Sequence, residues 1–450
     1  MLKQFTFSNF KSFKDRTTLD LWMPNSKSAP MYSMMTSFNY SVLRAGAVFG
    51  ANASGKSKLF EAMRFFKLVV CPMEVEGMPV FAAWKQMYDK FRLSTETDNQ
   101  DSFFEVVFIV DNVQYRYNIE LNESGITSES LFIKTQKESL VFSRKGFDVN
   151  PVATHIDNNI SDTIRSKGWP KSNYTYLWAL ANFDCAIAKV VFGWFSKVLF
   201  VQADDNVVGL PIHILENAKV KDVILKFLKT FDINIDDMSP SIADVDNLPD
   251  EVKHIIGNRI DGNTKVYNGT NTFHYKYNEN FERVEKIRFV LEKDESMGTR
   301  RLTNIILPIL QVLAKGGVLF VDEFESSIHP NILKNIVGLF YEKECKGQLV
   351  VNSQNVDLLN LEIYDDNHEV RRIFDKNQIF LVEKNRYGVS SVIPLKKFGS
   401  KDTRGNIKDK LLSGMYNVGV PYISELDLDE FKQNNKKSLK VFFNKLNLEQ

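Results

Sequence analysis

The chain has 450 residues, of which 44% are hydrophobic and 25% are charged, and its formal net charge is +1. This composition predicts a soluble globular protein of two or three lobes with a sizeable core. The balanced charge provides no overall field that would draw the protein onto nucleic acid or an anionic membrane. Its three cysteines lie far apart without CxxC spacing, which argues against a disulfide framework or a zinc site and fits a reducing cytosol.

No signal peptide is predicted, because polar residues interrupt the apolar ones throughout the opening MLKQFTFSNFKSF. The best apolar run, from Val190 to Val201, carries Lys197 in its middle and is too short to cross a membrane. We therefore expect a cytoplasmic protein without a membrane partner.

Three local patterns stand out in the first third of the chain. Alternation from Phe5 to Leu21 predicts an antiparallel hairpin. The apolar run Ala45 to Phe49 leads into glycine-rich sequence and then a helix whose Leu59 and Met63 share one face, which predicts strand, loop and helix. Residues 103–121 predict a second hairpin that turns at an Asp-Asn pair.

The middle and the end of the chain predict different architectures. Residues from about 161 to 238 have a helical, aromatic pattern and residues 239–272 are polar and turn-rich, which suggests a lobe inserted into the core. After Lys286 strands and helices alternate: IRFVL, a helix over 299–315, GGVLFV, a helix opened by Pro330, and QLVV. Short apolar strands joined by a helix predict parallel pairing in a buried sheet.

A last hairpin is predicted over residues 379–395, and Ser424 with Asp427 resembles a capping box for a final helix. The expected fold is α/β, with a mixed or parallel sheet, an antiparallel β subdomain and an inserted, mainly helical lobe. Its expected regions are 1–130 with the phosphate loop and hairpins, 131–285 as the inserted lobe, and 286–450 as the second half of the core.

The strongest chemical motif runs from Gly50 to Ser57, GANASGKS, and it stands between a predicted strand and a predicted helix, as a phosphate loop must. Gly50, Asn52 and Gly55 belong to a loop whose backbone N–H groups can wrap around phosphates. Lys56 would reach the β- and γ-phosphates of ATP, and the Ser57 hydroxyl would ligate Mg²⁺.

A second motif is the apolar strand Val318 to Val321 followed by Asp322 and Glu323. Such a strand carries its carboxylates to the edge of the sheet where doubly wound folds bind ligands. Asp322 is the predicted partner of Mg²⁺, and Glu323 is the predicted general base for an attacking water. By itself this acidic pair is weak evidence for a metal site, because an apolar strand commonly ends in solvated acids. Together with the phosphate loop it becomes strong evidence.

A third element, ESMGT at 295–299, opens the helix that leads to the Asp322 strand. Ser296 and Gly298 there offer a hydroxyl and free backbone N–H groups suited to a phosphate. The alternative is a plain helix N-cap.

These motifs, with NFKSF at 9–13, VDEFESSIHP at 321–330 and the late FLVEKNRYG and SGMYNVGVP segments, give the chain a family resemblance. It resembles ABC-type ATPases of the SMC, RecF and OLD group, and among them bacterial abortive-infection ATPases such as AbiL and the ATPase subunit of the PARIS phage-defence system. The resemblance covers nearly the whole chain and is weakest in the inserted lobe.

The resemblance implies ATP and Mg²⁺ as cofactors and a head-to-head homodimer or higher homo-oligomer. In such a dimer Ser296 and Gly298 of one protomer close on the γ-phosphate held by the other. Ser326, Ser327 and His329 resemble the loop that communicates across that dimer, although His329 is equally explained as a helix-start residue. Where the family places a histidine after the strand 349–351, this chain has Gln354, which donates a hydrogen bond but carries no charge, so slow hydrolysis is expected.

Three functions follow from the resemblance. The first is an ATPase that acts as sensor and regulatory subunit in anti-phage defence, gating a separately encoded effector or toxin when a phage trigger arrives. The second is a RecF- or SMC-like DNA clamp in repair or recombination, which the near-zero net charge does not favour. The third, a self-contained OLD-type nuclease, lacks room for a further domain after Asp322.

Overall fold

The computed structural model describes residues 1–25, 30–72, 84, 86–202, 209–244, 265–365, 368–399, 406–413 and 416. The strands are β1 (Leu2–Ser8), β2 (Thr17–Asp20), β3 (Trp22–Pro24), β4 (Ser33–Met35), β5 (Tyr40–Leu43), β6 (Ala45–Gly50), β7 (Ser102–Val110), β8 (Val113–Asn122), β9 (Gly125–Lys134), β10 (Glu138–Lys145), β11 (Asp148–Pro151), β12 (Leu199–Gln202), β13 (Asp237–Asp244), β14 (Lys265–Tyr277), β15 (Arg283–Val290), β16 (Gly317–Val321), β17 (Gly347–Ser353), β18 (Glu362–Tyr364), β19 (Val370–Arg372), β20 (Ile379–Lys384) and β21 (Ser390–Pro394).

The helices are α1 (Lys56–Val70), α2 (Asn158–Ser166), α3 (Tyr176–Asn182), α4 (Ala186–Gly193), α5 (Ile212–Leu215), α6 (Ala218–Thr230), α7 (Leu291–Asp294), α8 (Met297–Lys315), α9 (Pro330–Tyr341) and α10 (Ile407–Leu412). A π-helical turn, Trp194–Val198, continues α4. Short 3-10 turns occupy Thr95–Thr97, Val356–Asn360, Lys376–Gln378 and Leu395–Lys397.

The centre of the molecule is a six-stranded sheet, here called the core sheet, with the order β12-β16-β17-β6-β20-β21. Its first five strands are parallel and only β21 runs antiparallel to its neighbour. The predicted parallel pairing of GGVLFV with QLVV is therefore confirmed. Because parallel strands end at the same edge, the loops after β6, β16, β17 and β20 meet there.

Two hydrophobic cores lie on the two faces of the core sheet. Val48, Val318 and Phe320 point into the first, while their neighbours Leu319 and Val321 point into the second. This is the alternation that a strand buried on both faces must have. Helix α1 packs in the first core, and helices α8 and α9 pack in the second.

A seven-stranded antiparallel sheet, with the order β11-β10-β9-β8-β7-β1-β2, shares the first core with α1. Its phenylalanines supply much of that core: Phe5 and Phe7 stack at 5.2 Å, and Phe66 of α1 lies 5.6 Å from Phe104, measured between ring centroids. The predicted hairpins β1–β2 and β7–β8 are confirmed, and β1 also pairs with β7. The expected α/β fold with a mixed sheet and an antiparallel β subdomain is confirmed.

Residues 131–285, expected to form one inserted, mainly helical lobe, contain strands as well as helices α2 to α6. Strands β9 to β11 extend the antiparallel sheet, and β12 joins the core sheet beside β16. Residues 239–272, expected to be turns, contribute to β13 and β14, and IRFVL falls in β15 and the short helix α7. Distant pairing recruits these weak strand sequences, because strand preference depends on what a strand packs against.

The structure also bears on two remaining expectations. Among the described residues no single helix is long and apolar enough to cross a membrane; Tyr176–Asn182 and Ala186–Val198 pass the same criterion only as a pair, across a bend of 115°. The capping box expected at Ser424 and Asp427 lies outside the described residues.

Candidate functional site

The phosphate loop joins the end of β6 to the start of α1, as the sequence predicts. Gly55 has φ 115°, and a Cβ atom there would lie 2.6 Å from Ser390 Oγ and 3.0 Å from Ser12 Oγ. A side chain is therefore excluded both by the backbone conformation and by the space. No side chain caps the first turn of α1, so its N–H groups remain available to an anion.

Lys56 begins α1 and turns back over the loop. Its ammonium group donates to the backbone oxygens of Gly50 at 2.9 Å and Ala51 at 3.0 Å. Burial lowers the Lys56 pKa, and the nearby carboxylates of Glu325, Asp322 and Glu323 oppose that shift. The cation is thus held at the mouth of the loop, while Asn52 is exposed within the loop itself.

Ser57 and Asp322 come together although 265 positions separate them in the chain. The Ser57 hydroxyl donates to Asp322 Oδ1 at 3.2 Å. Two adjacent ligands of an octahedral Mg²⁺, each about 2.0–2.1 Å from the ion, lie about 3 Å apart. The donor set of a hydroxyl, a carboxylate and added phosphate oxygens also suits this ion, so these residues fit Mg²⁺.

Asp322 is buried, and three groups bond to its Oδ1 atom: the Ser57 hydroxyl, the Asn352 side-chain amide and the Glu323 backbone N–H. Burial raises the Asp322 pKa, the charge of Glu323 adds to the rise, and the hydrogen bonds oppose it. A carboxylate whose charge is so poorly solvated gains from a bound cation.

Glu323 adopts φ 47°, a backbone conformation that is uncommon for a residue with a side chain. Its N–H donates to Asn352 Oδ1 at 2.7 Å, and its backbone oxygen accepts from Arg301 Nη2 at 3.3 Å. Arg301 also donates to the Asp322 backbone oxygen. Such contacts hold a strained residue in place, and strain of this kind clusters at functional sites.

Gln354 lies beside Glu323, with 3.5 Å between Gln354 Nε2 and Glu323 Oε1. Its backbone N–H donates to Glu325 Oε1 at 2.5 Å, as does that of Asn355 at 3.1 Å. A neutral amide therefore lies beside the candidate base.

The start of α1, with Gly55 and Ser57, lines a cleft of 770 Å³. Its volume lies within the range of small-molecule sites, about 300–1,000 Å³. Glu323, Gln354 and Asp89 line it, together with a set of basic side chains: Lys11, Lys56, Lys58, Lys90, Arg92 and Lys384. A cleft with this excess of cations suits a polyphosphate.

The ESMGT element lies elsewhere in the same chain. Ser296 caps α8, because its hydroxyl accepts from the Thr299 N–H at 3.1 Å. Neither Ser296 nor Gly298 is among the described residues that line the cleft. A Cβ atom at Gly298 would lie 2.6 Å from the Ser327 backbone oxygen, so the element packs on the loop that follows Glu323.

In that loop, His329 caps α9 by accepting from the Asn331 N–H at 3.2 Å, so its explanation as a helix-start residue is confirmed. Ser327 has φ 58° and is exposed.

Sequence reasoning missed Asn352 and Arg301. Asn352 lies near the end of β17, the strand between β6 and β16, and its amide donates to Asp322. The available signal was a polar residue directly after the apolar run Leu349 to Val351. For Arg301 the available signal was a charged residue in the second turn of a helix with an apolar face, where the structure buries it.

The family comparison gives one match. A model described as "AAA domain, putative AbiEii toxin, Type IV TA system" matches residues 47–360, which is more than half of the chain and spans the phosphate loop, Asp322 and Gln354. No curated protein matches the sequence.

Among solved structures, the chain is similar to head domains of SMC proteins. The SMC head domain from Thermotoga maritima is 13% identical, with a TM-score of 0.36, covering 87% of this chain and 98% of that one. The Smc head with an extended coiled coil, bound to the C-terminal domain of ScpA derived from Pyrococcus furiosus, is 13% identical, with a TM-score of 0.36 and coverages of 88% and 97%. The SmcHead bound to the C-winged helix domain of ScpA is 12% identical, with a TM-score of 0.36 and coverages of 87% and 96%. At these values the likeness carries no functional inference.

Proposed function

Because the chain belongs to the family of AAA domains of the AbiEii type, we propose that it binds and hydrolyses ATP as an ABC-type ATPase. The observation that carries this proposal is the contact between Ser57 of the phosphate loop and Asp322 of the distant strand, at 3.2 Å. A strong motif and a motif that is weak by itself thus come together at one cleft, and that cleft has the charge and volume for a nucleoside triphosphate.

Each residue then has a role that follows from its position. The N–H groups at the start of α1 bind the phosphates, and Lys56 exchanges its two backbone acceptors for phosphate oxygens. Ser57 and Asp322 would hold Mg²⁺, which would supply positive charge to neutralise the charge that develops on the phosphates.

Glu323 acts as the general base that orients and deprotonates the attacking water. Gln354 donates toward Glu323 and the transferred phosphate, but an uncharged amide stabilises developing negative charge less than an imidazolium would. We therefore expect slow turnover, which suits a nucleotide-gated switch better than a fast motor.

Ser296 and Gly298 complete the site from a second copy of the chain. Within one protomer they cap α8 and pack on the 326–329 loop, away from the cleft. A head-to-head dimer would bring them onto the nucleotide of the other protomer. Larger homo-oligomers can be built from the same contact.

The wider role we propose is that of a cytoplasmic sensor and regulatory subunit in anti-phage defence, which holds or releases a separately encoded effector. Two points support it: the resemblance to abortive-infection ATPases, and a matching family model whose description names a toxin of a toxin–antitoxin system. A phage-encoded trigger would act by shifting the nucleotide state.

The ATPase proposal is tested with four purified proteins: wild type, Lys56→Ala, Glu323→Gln, and the exposed control Glu344→Gln. Lys56→Ala should weaken binding of a fluorescent ATP analogue about 10- to 100-fold, because it removes a charged hydrogen-bond donor to phosphate. Glu323→Gln should bind normally, turn over slowly and accumulate as a dimer on size-exclusion chromatography with ATP. Normal turnover by Glu323→Gln would disprove the general-base role.

The defence role requires a separate experiment in the native bacterium. Tagged wild type and Glu323→Gln are recovered with and without ATP, and the proteins that copurify are identified. One protein whose recovery changes with nucleotide state supports a gated effector. Recovery of DNA or repair proteins would instead favour the clamp function.

A further inference from the structure

The strands β13, β14 and β15 form a small antiparallel sheet whose last strand, β15, is unusually exposed. Every residue of β15 except Ile287 and Val290 is exposed, and no described residue pairs with its outer edge. An open strand edge presents backbone N–H and C=O groups that a further strand can pair with. Natural proteins protect such edges or use them for binding.

One face of this hairpin carries only basic charge along β15. The register pairs Arg288 with Phe273, Lys286 with Tyr275, and Arg283 with Tyr277, so all six side chains share a face. Arg283 and Lys286 lie 4.3 and 5.3 Å from the ring centroid of Tyr275.

On the opposite face of β15, Ile287 and Phe289 are apolar, and Phe289 lies 4.9 Å from the His274 ring. From Lys286 to Phe289, β15 therefore alternates basic and apolar side chains. Glu285 precedes this run, and its carboxylate is paired with Lys276 at 3.0 Å. A strand that pairs with this edge would complement it with alternating acidic and apolar residues.

We propose that the β15 edge is the docking surface for a partner protein that adds a strand of alternating acidic and apolar residues. A second copy of this chain is a poor occupant, because pairing two β15 edges places the cations of one copy against those of the other. A nucleic acid is also a poor occupant, because it has no peptide N–H and C=O groups to pair with the open edge of a strand.

The hairpin is bonded to the element that would complete the nucleotide site. Glu295 Oε1 accepts from the Thr272 hydroxyl at 2.5 Å and lies 2.7 Å from His274 Nε2, and Glu295 directly precedes Ser296. Two strands, β15 and β14, thus connect a docked strand to Glu295 and the adjacent Ser296. Identifying the docked partner with the gated effector rests on the proposed function, whereas the docking itself does not.

The test uses the full chain and labelled probes in fluorescence anisotropy. One peptide alternates Glu and Val over 8 residues, the length of β15. A second alternates Lys and Val, and the third probe is an oligothymidylate. The Glu–Val peptide should bind wild type and the Lys–Val peptide should not.

The variant Arg283→Glu/Lys286→Glu/Arg288→Glu should weaken Glu–Val binding by at least about tenfold, because like charges then face each other. A control that reverses three exposed lysines elsewhere, Lys137→Glu/Lys219→Glu/Lys229→Glu, should bind as wild type does. If the first variant does not fold, Arg283→Gln/Lys286→Gln/Arg288→Gln replaces it and should bind with intermediate affinity.

Three results would overturn the proposal: no Glu–Val binding to wild type up to about 1 mM, equal binding by the charge-reversed variant, or binding of the oligothymidylate alone. The first result would leave β15 as an edge whose charges only prevent aggregation. Binding of a fluorescent ATP analogue is measured on the same samples. If wild type does not bind the analogue, the proposed function is refuted and the peptide result is unaffected, so the two failures are distinguishable.

Discussion

Replacing Asn352 with Asp tests whether this residue holds the two carboxylates of the site in place. The change is isosteric. Asn352 Oδ1 accepts from the Glu323 N–H at 2.7 Å, and an Asp oxygen would preserve that bond. The Asn352 amide also donates to Asp322 Oδ1, and there an Asp oxygen would meet a buried carboxylate.

The magnitude follows from these two contacts. A hydrogen bond to a charged group is worth about 1.5–3 kcal/mol. Repulsion between the two carboxyl groups also raises their pKa, and each pKa unit of that rise destabilises the folded state by about 1.4 kcal/mol at neutral pH. We expect Asn352→Asp to lower the free energy of unfolding by about 3–4 kcal/mol without Mg²⁺. That is a large part of the stability of an ordinary domain, about 5–15 kcal/mol.

The destabilisation should depend on pH in a definite direction. Two adjacent buried carboxyl groups have a raised pKa in the folded state, so the folded variant binds a proton more tightly than the unfolded chain. The loss in free energy of unfolding therefore has its full size above the raised pKa, and it becomes smaller as pH falls through that pKa. Urea unfolding in EDTA at about pH 7.5 and about pH 5.5 measures both values.

Asn355→Asp is the matched control. Asn355 caps the 3-10 turn that follows β17 by accepting from the Asp357 N–H, a role that Asp fills equally well. Its free energy of unfolding should change by less than about 0.5 kcal/mol. If Asn352→Asp behaved like this control, or if its destabilisation were the same at both pH values, Asn352 would not organise the carboxylates.

Other substitutions test separate contacts. Asp322→Asn should raise the unfolding midpoint of the ligand-free protein and abolish Mg²⁺-dependent ATP binding. Because burial raises the Asp322 pKa, the gain in stability should shrink as pH falls through that pKa. A gain that is independent of pH would contradict this reasoning. Gly298→Ala should cost about 1–3 kcal/mol in urea unfolding, since its Cβ would lie 2.6 Å from the Ser327 backbone oxygen. Ser296→Ala should cost about 1 kcal/mol through the lost cap, and in mixed dimers it should impair hydrolysis only in the opposite protomer; loss in the mutated protomer itself would leave Ser296 as a simple cap.

The sequence determined the local parts of the site. The loop from Gly50 to Ser57, the strand that ends in Asp322 and Glu323, and the cap at Ser296 all depend on neighbours within a few residues. Strand, glycine turn and helix start have sequence patterns of their own, because backbone conformation and hydrophobic alternation are local properties. These elements lie where the pattern predicted them.

Tertiary structure alone decided how those parts meet. The order β16-β17-β6 places one strand between the two motifs, and that order brings the Asn352 amide to Asp322. The same holds for β13 and β14, whose polar sequences predicted turns and which became strands through pairing. Strand pairing joins residues that are distant in the chain, and its energy depends on the partner, so a single sequence carries the pattern of each strand but not the identity of its neighbour.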